Sequence, residues 1–336
     1  MRRLEPVVQY LGPAVLILLV ALVGSFTSHA REIEFRNALV NVAIVIALYV
    51  FVGNSGVVSF GHVSFVAVGA FLAGVLTIEE QSKQFVLPEL FPFLKHATIG
   101  SWPSLGLAAA AGGLFAFLVG LPLMRLSGLP AGIATFAVLG ITYNILRYWT
   151  KIGPGPLTLS LVPETTTIWV AAAGALIVAA AALVYQRSSA GRMLRATREN
   201  AGAARAAGID VYRQRLLAFT LSGALAGFAG GLLVHLLGSI TTDQVYLSLT
   251  FLTLAMLVIG GVSSLWGATV GALLVTGLNS FLADAENTID VGFKLTLPEG
   301  TSLVVLGAFM ALVLILRPSG ITGGREVSLP RSFRSK

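Results

Sequence analysis

Asn54, Ser55, Ser59 and His62 stand together in "GNSGVVSFGH", which runs from Gly53 to His62 and also holds Gly56 and Gly61. Their side chains supply hydrogen-bond donors and acceptors, and the glycines permit backbone shapes and close approaches closed to other residues. The chemistry these residues favour is non-covalent, the holding or passing of a polar solute. Thr142 and Asn144, in "ITYNILRYW", form a second polar group within apolar sequence. A third interruption, "GGVSSLWG" from Gly260 to Gly267, is rich in glycine and serine. No H-E-x-x-H, G-x-S-x-G or phosphate-cradling G-x-x-x-x-G-K-[ST] occurs. The four histidines His29, His62, His96 and His235 are far apart in sequence, and there is no cysteine. No catalytic residue and no metal site are assigned.

The elements around these groups are set by composition. The chain has 336 residues, 56% of them hydrophobic and 11% charged, against about 25% charged in a soluble domain. Apolar runs near 11–28, 37–53, 62–78, 104–124, 130–148, 167–186, 215–238, 249–261, 264–283 and 301–316 have the character of membrane helices. The pair 249–261 and 264–283 reads as one kinked helix or as two, and the expected span count is 8 to 10. The first run follows Met-Arg-Arg but no clear cleavage site follows it, so it is expected to be a retained span. Alternation of the kind found in membrane barrels is missing, and helices satisfy their own backbone in lipid. The expectation is an all-α polytopic membrane bundle. It forms one domain over 1–324, with a cytoplasmic loop at 187–215 and a cytoplasmic tail at 325–336, and the chain from Arg317, with Pro318, Gly320, Gly323 and Gly324, is expected to be a short cytoplasmic end with little order.

Charge placement gives the orientation. With both ends inside and ten alternating spans, the inside holds 15 of the 22 basic residues and four of the 15 acidic ones. Basic residues gather on the cytoplasmic side of membrane proteins. The net charge of +7 therefore reports topology and not nucleic-acid binding. Glu79–Pro103 and Asp284–Gly300 fall outside. Arg187–Arg215 falls inside.

Each polar group keeps two readings at this level. Irregular backbone at membrane depth survives only inside protein or beside a water-filled cavity. Gly53–His62 is thus a break lining a translocation path or a capped loop at the membrane face, and His62 taken singly suits a hydrogen-bonded structural role. "GGVSSLWG" suits a tight connection between two spans. Thr142 and Asn144 face the path or bond a neighbouring helix. Few ionisable residues lie in mid-span, which argues against proton pumps and ion-coupled carriers.

The segment "SSAGRMLRATRENAGAARAAGIDVYRQRLLAF", Ser188 to Phe219, is rich in helix-forming Ala and Arg. It predicts a short helix over about Gly191–Ala207, a turn at Gly208–Asp210 and a second run entering the next span. This is a handle for a soluble partner or a basic loop that only sets topology. The arrangement of Glu199, Ala203-Ala204 and Gly208-Ile209 resembles the EAA-type coupling loop of ABC importer permeases, and in particular the branched-chain amino-acid (LivM-like) group. "GNSGVVSFGHVSFVAVGAF", "SGLPAGIATFAVLGITYNILR", "SLWGATVGALLV" and "LRPSGITG" resemble that family's motifs in the same order. The likeness covers most of 35–324. Ala201 and Arg205 depart from it, standing where relatives often carry Glu, which makes the docking surface more basic. "KIGPGPLTL" is only loosely similar, and Glu79–Pro103 is long and unfamiliar.

The resemblance implies a membrane subunit of an ATP-driven importer in a bacterial inner membrane. Its implied partners are a second, LivH-like permease, two ATPase chains that carry ATP and Mg, and an extracytoplasmic solute-binding protein. Arg198, Glu199, Ala203, Ala204, Gly208 and Ile209 would form the ATPase-coupling region. This chain would bind no cofactor and catalyse no covalent step. Branched-chain or related amino acids are the implied cargo, with urea and short amides as alternatives. A stand-alone secondary carrier or a passive channel is the alternative outside the family.

Overall fold

Unpaired backbone groups are very costly in hydrocarbon, so apolar runs of this length resolve them within helices. The computed structural model describes residues 5–286, 289–290, 294–295, 301–324 and 326. The helices in chain order are α1 (Glu5–Ser25), α2 (His29–Ser55), α3 (His62–Thr77), α4 (Glu80–Val86), α5 (Pro92–His96), α6 (Ser101–Leu123) and α7 (Leu129–Tyr148). They continue with α8 (Ile168–Arg187), α9 (Ser189–Glu199), α10 (Ala201–Ala206), α11 (Val211–Leu237), α12 (Leu247–Gly260), α13 (Leu265–Glu286) and α14 (Thr301–Leu316). One 3-10 turn, Asp243–Val245, precedes α12, and two-residue strands pair Ile289–Asp290 with Lys294–Leu295.

Ten of these helices coincide with the ten apolar runs. Seven are long and apolar enough to cross a membrane, the α12 span counted with its 3-10 turn, and the apolar stretches of α1, α3 and α14 are shorter. The runs 249–261 and 264–283 are two helices joined by a tight turn, because Gly261 adopts φ 122° and ends α12. The fold is an all-α polytopic bundle.

A helix apolar all round is a buried helix. α2 behaves so, with every residue from Ala38 to Ser55 buried. It packs against α8, α11 and α13, while α11 also packs against α3 and α6. Small residues make these crossings possible, as between helices in lipid generally. A Cβ on Gly227 would run into the Ala108 backbone of α6, and one on Gly69 of α3 would run into Gly227 itself. Gly230 meets the backbone of Val66 in the same manner. Exposed apolar side chains such as Leu114 and Phe117 on α6 and Ile133 and Phe136 on α7 form a surface suited to lipid.

Two local expectations change. The helix expected over Gly191–Ala207 is split at Asn200, whose backbone is extended at φ −155°. Its Oδ1 accepts from the N–H groups of Gly202 and Ala203 and starts α10, the usual N-cap preference of asparagine. The chain from Arg317 to Gly324, read as part of a little-ordered end, folds back onto the α12–α13 turn. Ile321 N–H donates to Ile259 O at 2.8 Å and the Thr322 hydroxyl to Gly260 O at 2.8 Å. Glu326 is the one described residue of the expected 325–336 tail.

Candidate functional site

Gly53, Asn54 and Ser55 belong to the last turn of α2, and the irregular part of the first interruption is Gly56–Gly61. Gly56 takes φ 71° and its N–H closes the helix onto Val52 O. Asn54 Nδ2 donates to Val50 O at 3.0 Å, and Ser55 Oγ accepts from Val57 N–H at 3.1 Å. The chain then runs back into the bundle along α7. Phe60 N–H donates to Thr135 Oγ1 at 3.1 Å, and a Cβ at Gly61 would strike the Thr135 backbone. At His62 helix α3 begins.

His62 is buried. Its Nδ1 lies 2.9 Å from Ser59 Oγ and its Nε2 2.5 Å from Ser222 Oγ. Ser222 Oγ also meets Ala47 O at 2.5 Å. A carbonyl only accepts, so the Ser222 proton goes to Ala47 and Ser222 must accept from His62 Nε2–H. Nε2 therefore carries a proton, and Nδ1 pairs with the Ser59 hydroxyl. Phe51, Phe65 and Phe219 surround it at 5.5–5.8 Å between centroids. Ser222 sits eleven residues into α11, about 16 Å along its axis at 1.5 Å per residue, so this network lies deep in the bundle.

The second interruption lies beside the first. A Cβ on Gly53 would approach Val262 O at 2.7 Å. Ser264 Oγ accepts from Gly267 N–H at 2.7 Å. The Glu326 carboxylate accepts from the first two amides of α13, Leu265 at 2.7 Å and Trp266 at 3.2 Å, where a helix N-terminus favours negative charge. It also accepts from Gln186 Nε2 at 3.3 Å.

The basic segment next to these breaks divides into two parts. On α9 each arginine bonds a neighbouring element, Arg192 from an exposed position and Arg195 and Arg198 half-buried. Arg192 donates to Arg187 O, and Arg195 to Gln186 O at 2.7 Å. Both acceptors are carbonyls at the end of α8, where helices leave such groups unpaired and carry partial negative charge. Arg198 donates from Nη1 to Gly53 O at 2.5 Å and from Nη2 to Ser263 Oγ at 3.1 Å. α10 is more open. Ala203, Arg205, Ala206, Ala207 and Gly208 are exposed, as is Glu199 before it, while Ala204 is buried and Ile209 half-buried. Gly208 has φ 82°, and Ile209 N–H bonds to Ala204 O, a left-handed turn that ends the helix.

Thr142 and Asn144 stand apart from both breaks, toward the other end of α7. Thr142 is buried, donates to Val138 O at 2.9 Å and borders an apolar cavity of about 350 Å³ with Phe71 and Phe115. Asn144 is exposed and donates to Gly140 O at 2.7 Å. Between them Tyr143 donates to Asp243 Oδ1 at 2.7 Å, and its ring stacks on Tyr246 with centroids 4.0 Å apart. Arg147 Nη1 donates to Tyr143 Oη at 2.6 Å and to both Asp243 oxygens at 3.0 Å.

A family model described as the permease component of branched-chain amino-acid transport systems matches residues 36–314. The chain belongs to this branched-chain amino-acid permease family of ABC importers. It is 25% identical to the high-affinity branched-chain amino-acid permease protein LivM of Salmonella typhimurium, over 91% of this chain and 73% of that one. It is 26% identical to LivM of Escherichia coli K12 with the same coverage. A third relative, the autoinducer 2 import permease protein LsrC of Klebsiella pneumoniae, is 33% identical over 56% of this chain and 55% of its own. No solved structure matches.

Within this permease the structure brings Asn54, Ser55, Ser59 and His62 into one buried region and leaves Thr142 and Asn144 outside it. It also turns Arg198 away from α10 and toward the membrane breaks. Sequence reasoning missed three groups. Ser222 lies in an apolar run with nothing local to mark it. Asp243 pairs with residues about a hundred positions away. Lys83 of α4 is buried and donates to Leu94 O at 3.1 Å and Ala97 O at 2.6 Å. Burial lowers its ammonium pKa from the usual value, and Glu80 opposes that shift. Among the described residues no group of three or more histidine, aspartate or glutamate side chains could hold a metal ion.

Proposed function

We propose that this permease is one of two membrane subunits of an ATP-driven importer that carries branched-chain or related amino acids. A solute-binding protein delivers the cargo outside, and two ATPase chains carrying ATP and Mg bind inside. A second, LivH-like permease completes the path, in keeping with a relative from Methanocaldococcus jannaschii named as a probable branched-chain amino-acid permease LivH, 33% identical over 42% of this chain. The setting is the bacterial inner membrane with both termini cytoplasmic. This chain performs no covalent chemistry.

The exposed α10 carries the reading. It stands on the basic side of the bundle, ends in the Gly208 turn and is backed by a helix whose arginines bond α8, the end of α2 and the α12–α13 turn. That leaves Ala203, Arg205 and Gly208 as a small, open knob for a soluble partner. Tagging the chain in its native cells, extracting it in mild detergent and identifying the bound chains by mass spectrometry tests this. An ATPase with a second permease supports the importer. A chain that purifies alone, under conditions that preserve a known ABC complex, overturns it in favour of a stand-alone carrier or channel.

A second reading keeps the importer and changes the cargo. The LsrC relative is named for autoinducer 2 import and is more identical over a shorter stretch. Uptake of labelled leucine by the reconstituted complex separates the two readings, since a non-amino-acid importer leaves leucine outside.

A further inference from the structure

We propose that Arg198 is the residue that carries movement of the cytoplasmic segment into the membrane, by clamping both helix breaks to α9. The proposal rests on the importer reading and adds to it a named transmission point.

The three arginines of α9 recur every third residue, but their reach differs. Arg192 and Arg195 bond carbonyls five and nine positions away, within the α8–α9 corner. Arg198 bonds Gly53, 145 positions away, and Ser263, 65 positions away. Gly53 O is among the last carbonyls of α2, for which the helix has no further amide, since Val57 N–H bonds Ser55 Oγ instead. A guanidinium is a rigid fork with several donors, so one side chain holds the end of α2 and the α12–α13 turn at a fixed separation. The fit is close. A Cβ at Gly56 would lie 2.8 Å from Arg198 Cγ. Without a side chain at Gly56, Arg198 lies flat across the end of α2.

The bodies joined by this fork are themselves stiff. The α12–α13 turn is held by Ile321 and Thr322 on one side and by Glu326 on the other. The end of α2 is buried on all faces. Movement of α10 pulls α9, and α9 cannot shift without moving α2 and α13 or breaking both arms of the fork. Arg198 is thus a positioning residue, distinct from the exposed α10 residues that meet the partner.

The test uses the whole complex, purified from native cells with its ATPase and reconstituted with the solute-binding protein. The readouts are the amount of ATPase bound and the uptake per ATP hydrolysed, for wild type, Arg198→Ala, Arg198→Lys and Ser263→Ala. Arg198→Ala is expected to keep its ATPase bound while uptake per ATP falls about tenfold, the scale of one or two lost charge-assisted hydrogen bonds. Arg198→Lys, a point charge without the fork, falls between, and Ser263→Ala, which removes one arm, falls about threefold. If the Arg198→Ala chain itself does not accumulate in the membrane, the two milder variants decide by the same ratio. Uptake per ATP within twofold of wild type in all variants that assemble overturns the assignment. Loss of bound ATPase in step with uptake also overturns it, by making Arg198 a docking residue. A wild-type complex without any ATPase fails the importer reading itself, which the first readout shows before any variant is compared.

Discussion

The imidazole of His62 and the hydroxyl of Ser222, 160 positions apart, meet at 2.5 Å deep between α2, α3 and α11. Ser222 hands its own proton to Ala47 O, so three helices share one chain of hydrogen bonds. Removing the ring leaves two buried hydroxyls short of a partner and opens a cavity among Phe51, Phe65 and Phe219. His62→Ala is expected to lower stability by about 2–4 kcal/mol, and Ser222→Ala by about 1 kcal/mol. Thermal unfolding of the purified protein in detergent measures both, and an unchanged melting temperature for His62→Ala would contradict the network.

The glycines of the first break predict a separate outcome. Gly56 has φ 71°, and Gly61 sits against the Thr135 backbone. Gly56→Leu together with Gly61→Leu should abolish uptake while the chain still inserts, as read by membrane fractionation beside a transport assay. Normal uptake in the double variant would show that this break does not shape the path.

Glu199→Lys and Gly208→Trp address the partner-facing side. Glu199 and Gly208 are exposed and flank α10. Each change is expected to uncouple ATP hydrolysis from uptake; Glu199→Lys should leave the melting temperature of the isolated chain nearly unchanged, while Gly208→Trp, at φ 82°, lowers stability by about 1–2 kcal/mol. Transport at the wild-type level in both would remove α10 from the docking surface.

Arg147 and Asp243 form a forked pair that ties α7 to the turn before α12. Asp243→Arg alone sets two cations face to face and should reduce uptake. Arg147→Asp combined with Asp243→Arg restores the attraction and should recover part of it. A double variant no better than the single ones would mean that the contact is incidental.

Lys83 predicts a pH effect. Its folded pKa lies below the ordinary 10.5 because burial disfavours the ammonium. Between the folded and ordinary values the unfolded chain binds more protons, so stability rises with pH in that window and is flat well below it. Melts as pH approaches 10.5 should show this rise, and Lys83→Met should remove it. A slope unchanged in Lys83→Met would assign the effect to another group.

Much of this architecture was legible in the residues alone. Long apolar runs specify helices because lipid offers the backbone no alternative partner, and all ten runs became helices. Gly208 was legible as a helix end because left-handed backbone favours glycine. Asn200 was not read as a break, although its side chain caps α10, because Ala and Arg on both sides favour continuing a helix. The first break was misjudged by a few residues. Gly53 to Ser55 are polar or small but complete the last turn of α2, since their burial against α9 and α13 outweighs weak local propensity.

By itself the sequence determined the membrane class, the place of each long apolar helix and the family. Those properties depend on composition and short-range order, which are written in consecutive residues. Tertiary structure alone decided which polar groups meet. Ser222 finds His62, Asp243 finds Arg147, and Arg198 reaches Gly53 and Ser263, each across 65 to 160 positions. Such pairs arise because the packing of distant elements, as at the glycine crossings of α3 and α6 with α11, brings residues far apart in sequence within hydrogen-bond range.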